Sequence, residues 1–192
     1  MERNAPRYDV FVVLDYADEY RGLVKSGLAT HYIVGPKEAR AFGVDEWTKI
    51  LRENPRLVLA RYQLPPEAWR EEVAQSVIAA ARRLAQSSVD ATSLTVIDEC
   101  HWVAPQTGGL PDVVKGMGTT GRGEGASSMW ATQRLTEFNE TLLGNMMFYI
   151  LGGYTSSGDL DKLKKVAEYP VKIHNPTVTS LPTLPDALQV DG

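Results

Sequence analysis

The sequence predicts an α/β layered domain, with a mostly parallel sheet flanked by helices. Three observations carry that expectation. Val10–Leu14 is a continuous apolar, β-branched run, the pattern of a strand buried on both faces of a parallel sheet. Leu94–Ile97 is a second run of the same kind. Strand patterns then alternate with helical ones along the chain, as βαβ units do and hairpins do not.

Taken in order, Val10–Leu14 is the first strand. His31–Val34 is the second, closed by Gly35-Pro36. Pro36–Phe42 reads as a short helix, and Asp45–Asn54 as another with Asp45 as its N-cap. Arg56–Tyr62 is the third strand. Pro65-Pro66 then opens the longest helix, Glu67–Gln86, because proline's missing N–H is unused in a first turn. Val73, Val77, Ala80, Ala81 and Leu84 recur at helical spacing on one face, and Ser87-Ser88 ends the helix. Leu94–Ile97 is the fourth strand. A loop over His101–Gly109 leads to a helix at Leu110–Gly116. Ala126–Thr132 is a fifth strand, Glu137–Gly144 a helix, Met146–Leu151 a sixth strand, Ser157–Glu168 a helix and Val171–Ile173 a last strand. The expected organisation is one core domain over residues 1–174 and an extended tail over 175–192, where prolines recur without periodicity.

At 192 residues the chain is long enough to bury a core, and its 43% hydrophobic and 23% charged residues are ordinary for a globular protein. A net charge of −4 provides no overall field for nucleic acid, so contact with DNA would need a local basic patch or a charged pore formed by assembly. The single cysteine, Cys100, makes neither an intrachain disulfide nor a metal cluster and reads as a small apolar filler. No apolar run reaches the ~18 residues of a membrane span. Met1–Pro6 lacks the apolar region of a signal peptide, so a cytoplasmic location is expected.

The chemistry concentrates where strands end. Leu94–Ile97 runs straight into Asp98-Glu99, and ligands of parallel sheets sit at the carboxyl ends of strands. Asp98 there can hold Mg²⁺, through water, while Glu99 polarises an attacking water. The plainer alternative is a solvated acidic loop entry. Trp130-Ala131-Thr132-Gln133-Arg134 closes the next strand, so Gln133 can sense a phosphate or orient the water, or can be an ordinary strand exit. Asp15 follows the first strand on the same edge; Asp18 and Glu19 alternatively cap a short helix. Arg122, in the glycine-flanked Thr119–Gly125, can project towards a neighbouring subunit's phosphates, or belong to a surface turn.

Two patterns mislead. Gly116-Met117-Gly118-Thr119-Thr120-Gly121 matches G-x-G-x-x-G but follows a helix pattern, where a dinucleotide loop must follow a strand. Asp98-Glu99-Cys100-His101 spells the DExH box of superfamily 2 helicases, which need a second motor domain for which this chain has no room. His31 and His174 lie isolated at strand edges and read as structural. Trp47, Trp69 and Trp102 read as packing residues.

Together, the Val12–Leu23 segment around Asp15, the Val96–Pro105 segment around Asp98-Glu99, Gly121-Arg122 and Ala131-Thr132-Gln133-Arg134 resemble, in order, motifs of the HerA/FtsK superfamily of P-loop ATPases. Ala17-Asp18 departs from that family's small-Gly step. The resemblance spans about residues 8 to 155. It implies a RecA-like core, ATP and Mg²⁺ as cofactors, double-stranded DNA held in the pore of a ring-shaped homo-oligomer (a hexamer), and ATP-driven DNA translocation or packaging. It implies that Asp98 serves the metal and Glu99 the water, that Gln133 senses phosphate beside Asp15, and that Arg122 works between subunits. The family's lysine loop, G-x-x-x-x-G-K-[ST], occurs nowhere in these residues, nor does any Gly-Lys pair. The expectation is therefore a core without its first βα unit, with weak or no ATP binding by itself. A catalytically inactive binding or assembly module and a superfamily 2 helicase fragment are the alternatives.

Overall fold

Five strands, β1 (Val10–Asp15), β2 (Thr30–Val34), β3 (Arg56–Arg61), β4 (Ser93–Ile97) and β5 (Ala126–Trp130), form one sheet in the order β2-β3-β1-β4-β5. Every neighbouring pair is parallel. The computed structural model describes residues 7–150 and 156–167. The expected α/β architecture, a parallel sheet flanked by helices, is the one observed. The chain falls into two compact units, Met1–Asn145 and Met146–Gly192. The sheet belongs to the first. In the second, the described residues include one helix, α8 (Ser157–Ala167).

β1 is central, and all six of its residues are buried, as a strand covered on both faces requires. Alternation then splits its side chains between two cores. Phe11 and Val13 pack with Val58, Leu94 and Val96 against Leu23 of α1 (Arg21–Lys25). On the other face lie α3 (Val44–Glu53) and α5 (Gln75–Ala85), which contact β1 and each other. Trp47 and Trp69 are fully buried, and Tyr32 and Phe42 meet the Trp47 ring edge-on. Both tryptophans are thus the packing residues expected.

The long helix begins as α4 (Pro66–Ala68), widens into a π-helical stretch over Trp69–Ala74 and continues as α5. Val73, Val77, Ala80, Ala81 and Leu84 all point into the core, as their spacing predicts. Helix α2 spans Pro36–Ala41. Helix α3 starts one residue earlier than expected. Gly43 donates its N–H to the Glu46 carboxylate at 2.9 Å, so Glu46 holds the helix start and Asp45 sits in the first turn. Helix α6 (Asp112–Thr119) absorbs most of Gly116–Gly121, confirming that this glycine pattern opens no helix after a strand.

Two expectations change. The helix placed at Glu137–Gly144 is a 3₁₀ turn, Leu135–Glu137, followed by α7 (Glu140–Gly144). Asn139 caps α7, its Oδ1 accepting the N–H of Thr141 at 3.0 Å and of Leu142 at 3.3 Å. The strand placed at Met146–Leu151 is absent over residues 146–150; an apolar run becomes a strand only where a neighbour completes its ladder. Leu151, Val171–Ile173, His174 and the tail lie outside the described residues. Among the described residues, no helix is long and apolar enough to cross a membrane.

Gly125 ends the 3₁₀ turn Gly121–Glu124 and enters β5 with φ +80°. A Cβ there would lie 2.5 Å from the Ala91 carbonyl oxygen. Gly125→Ala is expected to destabilise the fold by about 2–4 kcal/mol, from left-handed strain and overpacking together. Urea unfolding measures this; an unchanged midpoint would refute the constraint.

Candidate functional site

The chain leaves β1 towards β2 on one side of the sheet and leaves β4 towards β5 on the other. Their connections diverge, so a crevice opens at the carboxyl ends of β1 and β4. Asp15 is the last residue of β1 and is fully buried. Its Oδ1 accepts the Glu19 N–H and its Oδ2 the Tyr20 N–H, both at 2.9 Å. Asp15 therefore fastens the loop that leads into α1. Asp18 and Glu19 do not cap that helix; Asp18 pairs with Arg21 and lies 3.4 Å from His31 Nε2.

Asp98 follows β4 directly, and its N–H donates to the Leu14 carbonyl at 3.0 Å. The Tyr20 hydroxyl donates to Asp98 Oδ1 at 3.5 Å, while Asp98 Oδ2 is buried with no partner. Burial pushes the Asp98 carboxyl up to about 6, with repulsion from Glu99 and Asp15 adding to it. Burial, then the charges of Asp98 and Asp15, likewise raise the Tyr20 phenol. An acid so placed gains from a cation.

Glu99 takes the left-handed conformation, φ 43° and ψ 49°, which non-glycine residues adopt at a cost. The 3₁₀ turn Cys100–Trp102 that follows is stitched to β5, with Cys100 N–H donating to the Ala131 carbonyl at 2.9 Å. Cys100 is the buried filler expected, its thiol pushed up by burial. Glu99 Oε2 lies 3.3 Å from His101 Nδ1, which lies 2.9 Å from Thr132 Oγ1. Gln133 is exposed immediately beyond Thr132. Trp102 is half-buried and stacks on Tyr16 at 5.6 Å between centroids, with Arg61 over the other aromatic of the pair, 4.1 Å from the Tyr16 ring. A cleft of about 530 Å³ opens beside His101 and Trp102, bounded by Glu67, Arg70 and Glu137.

Asp15, Asp98, Glu99 and Gln133 thus share one rim of the parallel sheet. Arg122 does not join them. It lies in the turn before β5, at the amino edge, where Ser93 N–H donates to the Gly125 carbonyl at 3.0 Å. Glu124 ties that turn to α5, accepting from Arg82 Nη2 at 2.6 Å and Gln86 Nε2 at 2.9 Å. Sequence reasoning missed Tyr20, His101 and Thr132. Each stood inside a motif, Tyr20 in the segment around Asp15, His101 as the fourth letter of the DExH pattern and Thr132 before Gln133, but none was given a role there.

Among the described residues, no three His, Cys, Asp or Glu side chains converge as a ready-made metal site. Mg²⁺ commonly takes one or two carboxylates and completes its shell with water and phosphate oxygens. The unpartnered Asp98 oxygen fits that partial role, and Glu99 and Asp15 add negative charge beside it.

No family model matches the sequence, and no curated protein is similar to it. Among solved structures the chain is similar to the genome packaging NTPase B204 from Sulfolobus turreted icosahedral virus 2. Its AMP complex is 14% identical, covers 84% of each chain and gives a TM-score of 0.46. Its ATP-γ-S complex is 13% identical over 82% of this chain and 81% of that one, with a TM-score of 0.46. The DNA-packaging ATPase B204 from Sulfolobus turreted icosahedral virus is 14% identical over 82% of each chain, with a TM-score of 0.45. The fold assignment rests on the strand order and register above, not on this likeness.

The Asp98 shift has a pH consequence. The folded chain holds this proton up to about pH 6, the unfolded chain only to about 3.8. The stabilising contribution of the neutral acid is therefore complete below pH 3.8 and lost as pH rises through about 6. Asp98→Asn keeps a neutral group at all pH values. The variant is expected to match the wild type near pH ~4 and to be more stable near pH ~7, by about 1 kcal/mol once solvent screening is allowed for. Thermal melts across that range measure it; parallel pH profiles would contradict the assignment.

Proposed function

We propose that this chain is the core of an ATP-hydrolysing motor of the genome-packaging or DNA-translocating kind. The observation that carries the reading is the junction of β1 and β4, where a buried, cation-seeking Asp98 stands beside Glu99 on a rim shared with Asp15 and Gln133. The sequence resemblance to the HerA/FtsK superfamily supports the same assignment.

In this reading Mg²⁺ supplies charge neutralisation at the nucleotide phosphates, and Asp98 holds it, chiefly through water. Glu99 accepts a proton from the attacking water. Gln133, on the next strand exit, orients the water or reads the γ-phosphate. Asp15 adds charge from below while its oxygens hold the 19–20 backbone. Arg122, on the opposite edge of its own sheet, serves the site of a second copy in a ring. The lysine loop of the resembled family does not occur in these residues, and no described strand occupies the outer edge of β5. Double-stranded DNA is the cargo. With a net charge of −4, the DNA-contacting surface is one that assembly creates.

Phosphate release from Mg²⁺-ATP tests the proposal. Glu99→Gln is expected to lower turnover by about 10²–10⁴-fold with nucleotide affinity kept, because the lost group acts only in the transition state. Asp98→Asn is expected to weaken Mg²⁺-dependent nucleotide binding. Turnover indifferent to both changes would refute the reading. The missing Gly-Lys pair favours a second reading, a catalytically inactive assembly module. Stable oligomers without nucleotide binding would support it.

A further inference from the structure

His101 has a buried side chain, 3% exposed, yet neither helix packing nor the proposed chemistry accounts for it. Its Nδ1 faces two oxygens, Thr132 Oγ1 at 2.9 Å and Glu99 Oε2 at 3.3 Å. Its Nε2 has no hydrogen-bond partner, its nearest charge being Glu137 Oε2 at 3.9 Å. Glu99 Oε2 is itself buried and lacks a conventional hydrogen bond.

The environment selects the tautomer. Burial holds the imidazole below its ordinary range, so the ring is neutral and carries one N–H. With the proton on Nε2, the Nδ1 lone pair would oppose the Glu99 carboxylate at 3.3 Å, in a buried site where that repulsion is poorly screened. With the proton on Nδ1, the same contact becomes attractive and Thr132 Oγ1 is the second acceptor. Thr132 Oγ1 also accepts the Arg134 N–H at 2.9 Å, which holds this hydroxyl in place at the end of β5 with a lone pair left for the imidazole.

We infer that His101 is a positioning residue for Glu99: its Nδ1–H is shared between Glu99 Oε2 and Thr132 Oγ1, so the place of the carboxylate is tied to the end of β5. This rests on the reading of Glu99 as the base. It adds a physical link between the two residues of the rim that must act on one water. Glu99 leaves β4 and Gln133 leaves β5, and the His101 imidazole spans the two exits. Moving β5 would move the N–H between its acceptors and so hold or release the carboxylate.

Ring ¹⁵N spectra of the full chain at one fixed neutral pH test the link without requiring turnover. The chain has three histidines, and His101→Asn identifies the signal by its loss. Nδ1 is expected to be the protonated nitrogen, and its resonance to shift in both Glu99→Gln and Thr132→Val. A proton on Nε2, or an Nδ1 signal indifferent to Glu99→Gln, would overturn the inference. In phosphate release, His101→Phe is expected to lose about 10–100-fold in kcat at unchanged nucleotide affinity, as supporting-shell changes do. His101→Asn, whose side-chain amide can donate in the same place, is expected to recover most of it. A loss of affinity in step with kcat would mean a merely structural role and would also overturn the inference. If the wild type releases no phosphate, the motor reading fails, and the ring spectra still decide whether His101 holds Glu99.

Discussion

Two carboxylates at the ends of adjacent parallel strands repel each other, and in an interior that excludes water the repulsion is poorly screened. The fold resolves the conflict asymmetrically. Asp15 receives two backbone N–H groups from the turn into α1, which satisfies both of its oxygens. Asp98 receives one long contact from Tyr20 and keeps an unpartnered oxygen, so the strain collects there. The same turn that quiets Asp15 carries Tyr20 to Asp98. One side chain thus sets the loop, the start of α1 and the polarity of the crevice.

The rim is built from three strand exits and sewn together across them. Asp98 N–H reaches back to Leu14 of β1, Cys100 N–H reaches Ala131 beyond β5, and His101 lies between Glu99 and Thr132. These contacts explain why Glu99 can keep a left-handed backbone. The residues on either side of it are pinned to different neighbours, so the surroundings over-determine its conformation. The Arg122 turn, at the far edge, is held by Arg82 and Gln86 through Glu124.

Legibility in the sequence followed the strength of local patterning. The strands at Val10, Arg56 and Leu94 are short apolar runs that only a covered sheet can bury, and their boundaries came within a residue of those observed. The long helix showed itself by spacing. The start of α3 was misplaced because Glu46, three residues beyond Gly43, outcompetes the nearer Asp45 for the cap. Asn139 went unread as a cap, and with it the break between Leu135–Glu137 and α7. The run at Met146 shows the converse failure, since apolar residues state a need for burial without naming the geometry that meets it.

The sequence by itself determined the architecture and the identity of the acidic rim. Parallel strands share a direction, so any residue that ends an apolar run in a βαβ chain must emerge on the same edge, whatever the strand order. Only the tertiary structure decided how those residues divide their labour. Strand order made β1 and β4 neighbours and placed their divergent exits around one crevice. A local turn occupied Asp15, while contacts between distant residues gave Asp98 only Tyr20 and brought His101, beside Glu99, to Thr132. Such pairings join residues separated by tens of positions, and local pattern holds no record of contacts at that distance.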